Sequence, residues 1–441
     1  MKSYIIICWF LFCSFLAGSQ PINTAKIDSL FTSLEKNNRA MGSIAISKNG
    51  ELLYARAIGY SQINGGFKLY SDVSTKYRIG SITKMFTTVI AFQLIEEGKL
   101  KLSSPLSKFY PEIKNAKSIT ISNLLNHRSG ISNFTNDTAY MSWMMNEKTH
   151  KEIIEYIKKG GSDFEPNTKA EYSNSNFVLL GYIIEAICKK DFSEILNDRI
   201  TKKIDLQNSY YGSKTNIQKN ECYSYSFDSV WVQETETHMS VPHAAGAIVS
   251  NPTDLTKFIE ALFTYKLVNK SSLAQITTMK EKYGMGIFIT PFYEHMGYGH
   301  TGGIDGFTSA LTYFKEDSIS VAYTSNGKRF AMNDILIGVL SCIYNKPYKI
   351  PTFDRLVLTS TDLDKYLGFY SNKGFPLQLT VKKEGNVLQV TATGQATIDM
   401  DAIEKDKFQF EEAGIIVEFR PDKNELRLLQ GGLDIIFKRE N

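Results

Sequence analysis

A serine and a lysine stand three residues apart at Ser81-Ile82-Thr83-Lys84, where an apolar-periodic stretch, Met85 to Leu100, begins. The pattern predicts a long helix from Ser81 that stops near Gly98, a residue type suited to a helix C-terminus. At that spacing the two side chains share one helix face, one turn apart. A serine hydroxyl is a weak nucleophile until a neighbouring base takes its proton. Lysine can be that base when burial or nearby cations lower its pKa. The unpaired N–H groups and positive dipole end of the helix N-terminus suit an oxyanion.

The same pattern occurs twice more. Ser33-Leu34-Glu35-Lys36 falls in an amphipathic helix expected over Ile27 to Lys36, with Lys36 solvated. Ser325-Asn326-Gly327-Lys328 reads as a polar turn. Spacing alone therefore does not choose among the three, and the choice rests on motifs further along the chain.

The chain has 441 residues, room for two or three domains at about 150 residues each. Hydrophobic residues at 43% and charged residues at 22% are enough to build a buried core. The net charge of +4 is small, and Lys and Arg are dispersed, so no nucleic-acid partner is expected. Residues 1–19 read as a secretion signal: Lys2, an apolar core from Tyr4 to Leu16, then small residues at Ala17-Gly18-Ser19. Its removal implies a periplasmic or secreted protein; an uncleaved segment would leave the chain tethered to a membrane. Cys188, Cys222 and Cys342 then remain, allowing one disulfide at most. Cys188 and Cys342 sit in apolar helical patterns and read as core residues. No Cys/His spacing suggests a metal site, and no cofactor is implied.

Ser43 to Tyr60 reads as a β-hairpin about Asn49-Gly50. Helices are expected at Ile121 to Asn126, Lys151 to Lys158, Phe177 to Ile187, Thr253 to Leu267 and Met332 to Tyr344. Strands are expected at Gly286 to Thr290, Gly297 to Thr301, Phe307 to Phe314 and Ser318 to Thr324. The fold class is thus α+β: an antiparallel sheet flanked by helices, with an inserted helical lobe. One domain spans 20–346. From 347 to 441, six short alternating strands with recurring turns predict a small all-β module, sandwich or barrel.

Two further motifs lie downstream of Ser81. Tyr172-Ser173-Asn174 precedes the helix at Phe177; its phenol is a candidate proton shuttle, and its amide offers a donor and an acceptor. His300-Thr301-Gly302-Gly303 ends a short strand, where glycine lets a substrate backbone lie close. The Gly303 N–H, paired with that of Ser81, is a candidate oxyanion hole. Each motif has a bland counterpart, Tyr370-Ser371-Asn372 and His295-Met296-Gly297, so the weight lies in their order.

Together and in order these motifs resemble the serine β-lactamase/penicillin-binding-protein superfamily, in particular its class C-like branch of esterases, D-amino-acid peptidases and D-Ala-D-Ala carboxypeptidases. The resemblance covers about Ile27 to Tyr344 and includes Leu124-Leu125-Asn126-His127-Arg128-Ser129-Gly130 and Ala245-Gly246-Ala247-Ile248-Val249-Ser250. It implies a β-lactamase/transpeptidase-like fold. It also implies roles: Ser81 as acylated nucleophile, Lys84 as base or as partner of a Tyr172 phenolate, and Tyr172 as the acid for the leaving group. Asn174 would position Lys84 and substrate, while His300, Thr301, Gly302 and Gly303 would line the substrate edge. His127 and Arg128 read as structural, and Asp305 as an acidic turn residue. His150, His238, His243 and His295 lack a partner pattern.

Members dedicated to β-lactams usually carry lysine where this chain has His300, and a neutral imidazole serves an antibiotic's carboxylate less well. The leading expectation is therefore a serine hydrolase of peptides, D-amino-acid amides or small esters, with cell-wall peptide as one candidate substrate. A β-lactamase and a non-catalytic penicillin-binding-like sensor are the alternatives.

Overall fold

The computed structural model describes residues 22–353, 356–410 and 413–440. The expected signal at 1–19 lies outside them. The chain divides into two compact units between Tyr348 and Lys349.

The first unit is built on an antiparallel sheet. Its strands run in the order Phe288–Phe292, His295–Ile304, Phe307–Phe314, Ile319–Lys328, Ala40–Lys48, Glu51–Ile58. A further hairpin, Tyr225–Asp228 with Val230–Gln233, joins it through the Gly327–Tyr225 pairing. Asn49 and Gly50 link the first two strands in sequence, with φ of 55° and 83°. Positive φ at both central positions is what a type I′ hairpin turn requires. Helices cover both faces of the sheet. Ser320 Oγ donates to Glu260 in helix Pro252–Phe263. Tyr323 packs on Phe31 of helix Thr24–Lys36. Positions 320 and 323 point to opposite faces because side chains alternate along a strand. Such double cover explains why the run from Ala40 to Ser47 is buried without interruption.

Ser325 to Lys328 is not a polar turn but the end of strand Ile319–Lys328. Ser325 and Asn326 are buried: Ser325 Oγ donates to Met41 O, and Asn326 Nδ2 to Tyr60 O and Tyr223 O. Hydrogen bonds to distant backbone carry polar residues into a strand that local composition argues against.

A helical lobe lies between the hairpin and the later strands. Helix Thr83–Glu96 is its axis, buried on nearly every side from Thr83 to Leu94. Helix Asn174–Cys188 packs against it, and Ile121–Leu125 packs against Asn174–Cys188 in turn. The axial helix starts two residues later than expected, because Gly80–Ile82 forms a 3₁₀ turn ahead of it. Gly98 comes just after it with φ of 69°, the left-handed conformation of a helix stop.

The second unit is a closed eight-stranded antiparallel barrel. Tyr370 pairs with Arg439 to close it. Sequence alternation misses two of its strands, Gly368–Asn372 and Thr397–Glu404. Leu379 and Val381, then Val417 and Phe419, point inward at every second position, and the interior is filled by side chains.

Cys188, Cys222 and Cys342 are all free thiols, so no disulfide forms among them. Cys222 and Cys342 are buried, whereas Cys188, expected in the core, is half-exposed at the end of its helix. Among the described residues no helix is long and apolar enough to cross a membrane, and no group of His, Cys, Asp or Glu could hold a metal ion.

Candidate active site

The 3₁₀ turn Gly80–Ile82 presents Ser81 at the mouth of the lobe, and Lys84 lies one turn deeper, fully buried. Lys84 Nζ is 2.9 Å from Ser81 Oγ, 2.8 Å from Asn174 Oδ1 and 2.8 Å from Ala245 O. Tyr172 OH donates to Ser81 Oγ at 2.7 Å. The other two Ser-x-x-Lys matches have no such surroundings, because they lie in an outer helix and a sheet strand.

Three separate segments supply these partners. Tyr172 and Ser173 precede helix Asn174–Cys188, so Asn174 sits at its first position. Asn174 Nδ2 donates to Thr135 Oγ1, and Asn174 N to Asn133 Oδ1, which pins the amide with its oxygen toward Lys84. Ala245 belongs to the short helix His243–Gly246, whose Ala244 O accepts from Thr87 Oγ1. The Ala245 carbonyl has no side-chain signal in the sequence; only the family-like segment around it pointed there.

Burial alone drives the Lys84 pKa well below the ordinary lysine value. Burial likewise raises that of Tyr172, and its hydrogen bond to Ser81 only partly offsets this. Both shifts favour the uncharged forms, a free amine beside a phenol. A Tyr172 phenolate held by a lysine ammonium is therefore disfavoured in the free protein.

The His300 strand forms one wall of a cleft of about 480 Å³. Ser81, Tyr172, His300, Thr301, Gly302 and Gly303 all line it, together with Lys282, Tyr283, Phe288 and Ile289. The glycines are sterically required in part. A Cβ on Gly302 would lie 2.0 Å from Ile79 O, and one on Gly80, where φ is 50°, would lie 2.8 Å from Gly303 N. The backbones of Gly303 and Gly80 therefore run against each other beside Ser81, and only small residues permit that approach.

His300 is buried and stacks on Phe288, with ring centroids 4.1 Å apart. Its Nδ1 faces Thr301 O, a pure acceptor, so that nitrogen carries the hydrogen. Burial, and secondarily the nearby Lys84, push its pKa down to about 3. The wall thus presents a neutral imidazole where a cation would otherwise stand.

His127 is buried behind Tyr172. Its ring lies 4.4 Å from the Tyr172 ring, and Nδ1 accepts the Ser173 N–H at 3.2 Å. It does not line the cleft and acts as a support. Asp305 is more than a turn residue: it is buried, pairs with Arg78 at 3.0 Å and accepts from Thr237 Oγ1 at 2.7 Å. The remaining histidines have partners that the sequence did not reveal. His150 meets Tyr110, His238 meets Ser240, His243 meets Tyr211 and His295 meets Asp317. None of these four lines the cleft. Sequence reasoning missed Lys282, Tyr283, Phe288 and Ile289 as cleft residues, although the last two fall in the strand expected at Gly286 to Thr290.

Known proteins resemble this chain in both sequence and fold. A family model described as Beta-lactamase matches residues 27–337. The chain is 27% identical over 327 residues to a teichoic acid D-alanine hydrolase of Staphylococcus aureus (strain MRSA252), covering 71% of this chain and 77% of that protein. A D-amino acid amidase from Ochrobactrum anthropi SV3 superposes with a TM-score of 0.61 at 26% identity, over 72% of this chain and 98% of that one. The octameric penicillin-binding protein homologue from Pyrococcus abyssi superposes with a TM-score of 0.70 at 25% identity, over 95% of this chain and all of its own.

Proposed function

The chain belongs to the beta-lactamase family, and from that premise we propose that it is a serine hydrolase of D-amino-acid esters or amides, D-alanyl compounds foremost, working through an acyl-enzyme on Ser81. The observation that carries this reading is the environment of Lys84. A neutral amine has two N–H donors and one lone pair. Asn174 Oδ1 and Ala245 O can only accept, so they take both donors. The lone pair is left for the hydroxyl hydrogen of Ser81, 2.9 Å away. Tyr172 donates to the same Ser81 oxygen, so the hydrogen bonds run one way, from phenol to hydroxyl to amine.

The direction of these bonds sets the chemistry. Ser81 Oγ attacks the substrate carbonyl as its proton passes to Lys84. The developing oxyanion lies between the backbone N–H groups of Ser81 and Gly303, whose preorganisation supplies much of the rate gain. Tyr172, a phenol in the free protein, protonates the leaving alcohol or amine and regains a proton from Lys84. Water then enters, loses a proton to the same relay, and releases the D-amino acid while Ser81 recovers its hydrogen.

The names of the relatives support the substrate class: one is a teichoic acid D-alanine hydrolase and another a D-amino acid amidase. A dedicated β-lactamase is disfavoured because the neutral His300 gives no cation for an antibiotic's carboxylate. The intact arrangement of Ser81, Lys84 and Tyr172 speaks against a non-catalytic sensor. An exported protein, periplasmic or secreted, fits a substrate on cell-envelope polymers and the N-terminal signal pattern.

The test is a fluorophosphonate label followed by turnover. The wild type is expected to label and Ser81→Ala not to. D-alanyl esters and amides are expected to turn over faster than L-alanyl counterparts and faster than nitrocefin. A nitrocefin rate far above the D-alanyl rates would overturn the substrate assignment.

A further inference from the structure

The turn Lys280–Tyr283 places a cation on the lip of the Ser81 cleft. Lys280 N donates to Tyr283 O at 2.9 Å and Tyr283 N to Lys280 O at 3.5 Å, which leaves Glu281 and Lys282 at the tip. Glu281 has φ of 61°, and its carboxylate pairs with Arg128. Lys280 Nζ donates to Asn167 Oδ1 at 2.8 Å, and the same oxygen accepts from Arg128 Nε at 3.1 Å. Two of the three charged residues in this turn are thus tied back to Arg128 and Asn167. Lys282 is not. It is exposed, it lines the cleft with Ser81 and His300, and among the described residues none pairs with it.

The rest of the cleft lacks fixed charge. Lys84 is buried and engaged, and His300 is neutral. An exposed lysine on an open surface is ordinarily just solvated. Here the backbone that carries it is clamped on both sides and faces the nucleophile's cleft. Arg128, which the chemistry of Ser81 does not use, acquires a purpose as the anchor of that clamp.

We propose that Lys282 is a specificity-determining residue of this cleft, recognising an anionic group, phosphate or carboxylate, that flanks the scissile bond of the substrate. The inference rests on the serine-hydrolase reading and narrows its substrate class to anionic D-alanyl compounds. The exposed cation of the cleft stands on the Lys280–Tyr283 turn and not on the His300 strand, so a substrate would carry its negative charge on the Lys282 side of the ester or amide. Attraction of this kind discriminates between charged and neutral substrates and weakens with added salt.

Matched substrate pairs on the full-length protein test it. One pair is the D-alanyl ester of glycerol 1-phosphate and that of glycerol; the other is D-alanyl-D-alanine and its C-terminal amide. The wild type is expected to favour the charged member of at least one pair, and which pair identifies phosphate or carboxylate as the group. In Lys282→Met the charged-to-neutral ratio of kcat/KM is expected to fall about fivefold, mostly through KM, as an exposed charge contact allows. Lys282→Arg is expected to restore it, and added salt to lower it in the wild type but not in Lys282→Met. Absence of any preference in the wild type, or an unchanged ratio in Lys282→Met, overturns the role of Lys282. Failure to turn over any of the four compounds overturns the D-alanyl reading itself, and this inference with it.

Discussion

His127 lies flat behind Tyr172, with ring centroids 4.4 Å apart and planes tilted by 32°, while its Nδ1 takes the N–H of the neighbouring Ser173. One buried imidazole therefore fixes both the plane of the phenol and the backbone that carries it. The phenol then reaches Ser81 Oγ at 2.7 Å.

Removing that support is expected to slow acylation without removing a reacting group. In His127→Ala the rate of fluorophosphonate labelling should fall by about tenfold, in keeping with loss of positioning. Its dependence on pH should keep the wild-type shape, since burial holds the His127 pKa well below its usual value. A shifted acidic limb would instead assign His127 a proton-transfer role.

Loss of the reacting groups is expected to be graded. Lys84→Met should lower kcat/KM by about a thousandfold or more, and Tyr172→Phe by about a hundredfold, the range of positioned acid–base groups. Steady-state kinetics on a D-alanyl ester measures both. If Tyr172→Phe labels at the wild-type rate but accumulates acyl-enzyme, the phenol acts in deacylation only.

In the proposed mechanism the working form of Lys84 is the free amine. kcat/KM should therefore rise with pH through the depressed Lys84 pKa and then level off, well below the ordinary lysine range. A rise delayed until pH about 10, the ordinary lysine range, would contradict a buried, neutral base.

Acid stability has its own signature. His300 is lowered to about 3 and His127 is also lowered, whereas both titrate near the ordinary value when unfolded. Between about pH 6.5 and 3 the unfolded chain binds protons that folded His300 refuses, so stability falls as pH falls through that window. Each such histidine contributes a slope of about 1.4 kcal/mol per pH unit. Urea midpoints measured across the window should flatten in His300→Gln. An unchanged slope would mean that His300 is not buried as a neutral ring.

The glycines of the strand wall should not be equivalent. A Cβ on Gly302 would lie 2.0 Å from Ile79 O, a backbone atom that cannot swing aside. The nearest atom to a Cβ on Gly303 is Phe307 O, 3.9 Å away. Gly302→Ala should therefore abolish labelling or folding, while Gly303→Ala should fold with a wild-type melting temperature. Equal effects on melting temperature would show that the close approach at Ile79 is not maintained.

Much of this molecule was legible from local spacing. Asn49-Gly50 specified a hairpin turn because few other pairs tolerate positive φ at both central positions. Two-residue alternation located most strands of the sheet and six of the eight in the barrel. Gly368–Asn372 is short, and Thr397–Glu404 was overlooked although Ile398, Met400 and Ala402 alternate along it. Alternation failed again at Ser325 to Lys328, where buried Ser325 and Asn326 donate to backbone far away in sequence. Asp305 looked like turn chemistry because its partner Arg78 lies more than two hundred residues earlier.

The sequence by itself singled out the residues that the structure brings together at the candidate site, Ser81, Lys84, Tyr172, Asn174 and the His300 to Gly303 edge, because reactive groups and their spacing are properties of the chain. Tertiary structure alone decided the state of those groups. The bias of Lys84 toward the free amine, of Tyr172 toward the phenol and of His300 toward the neutral ring are all consequences of burial, and burial depends on which distant segments close over a side chain. The Ala245 carbonyl, the His127 support and the clamped turn bearing Lys282 are tertiary in the same sense: each becomes part of the site only through contacts that no local pattern encodes.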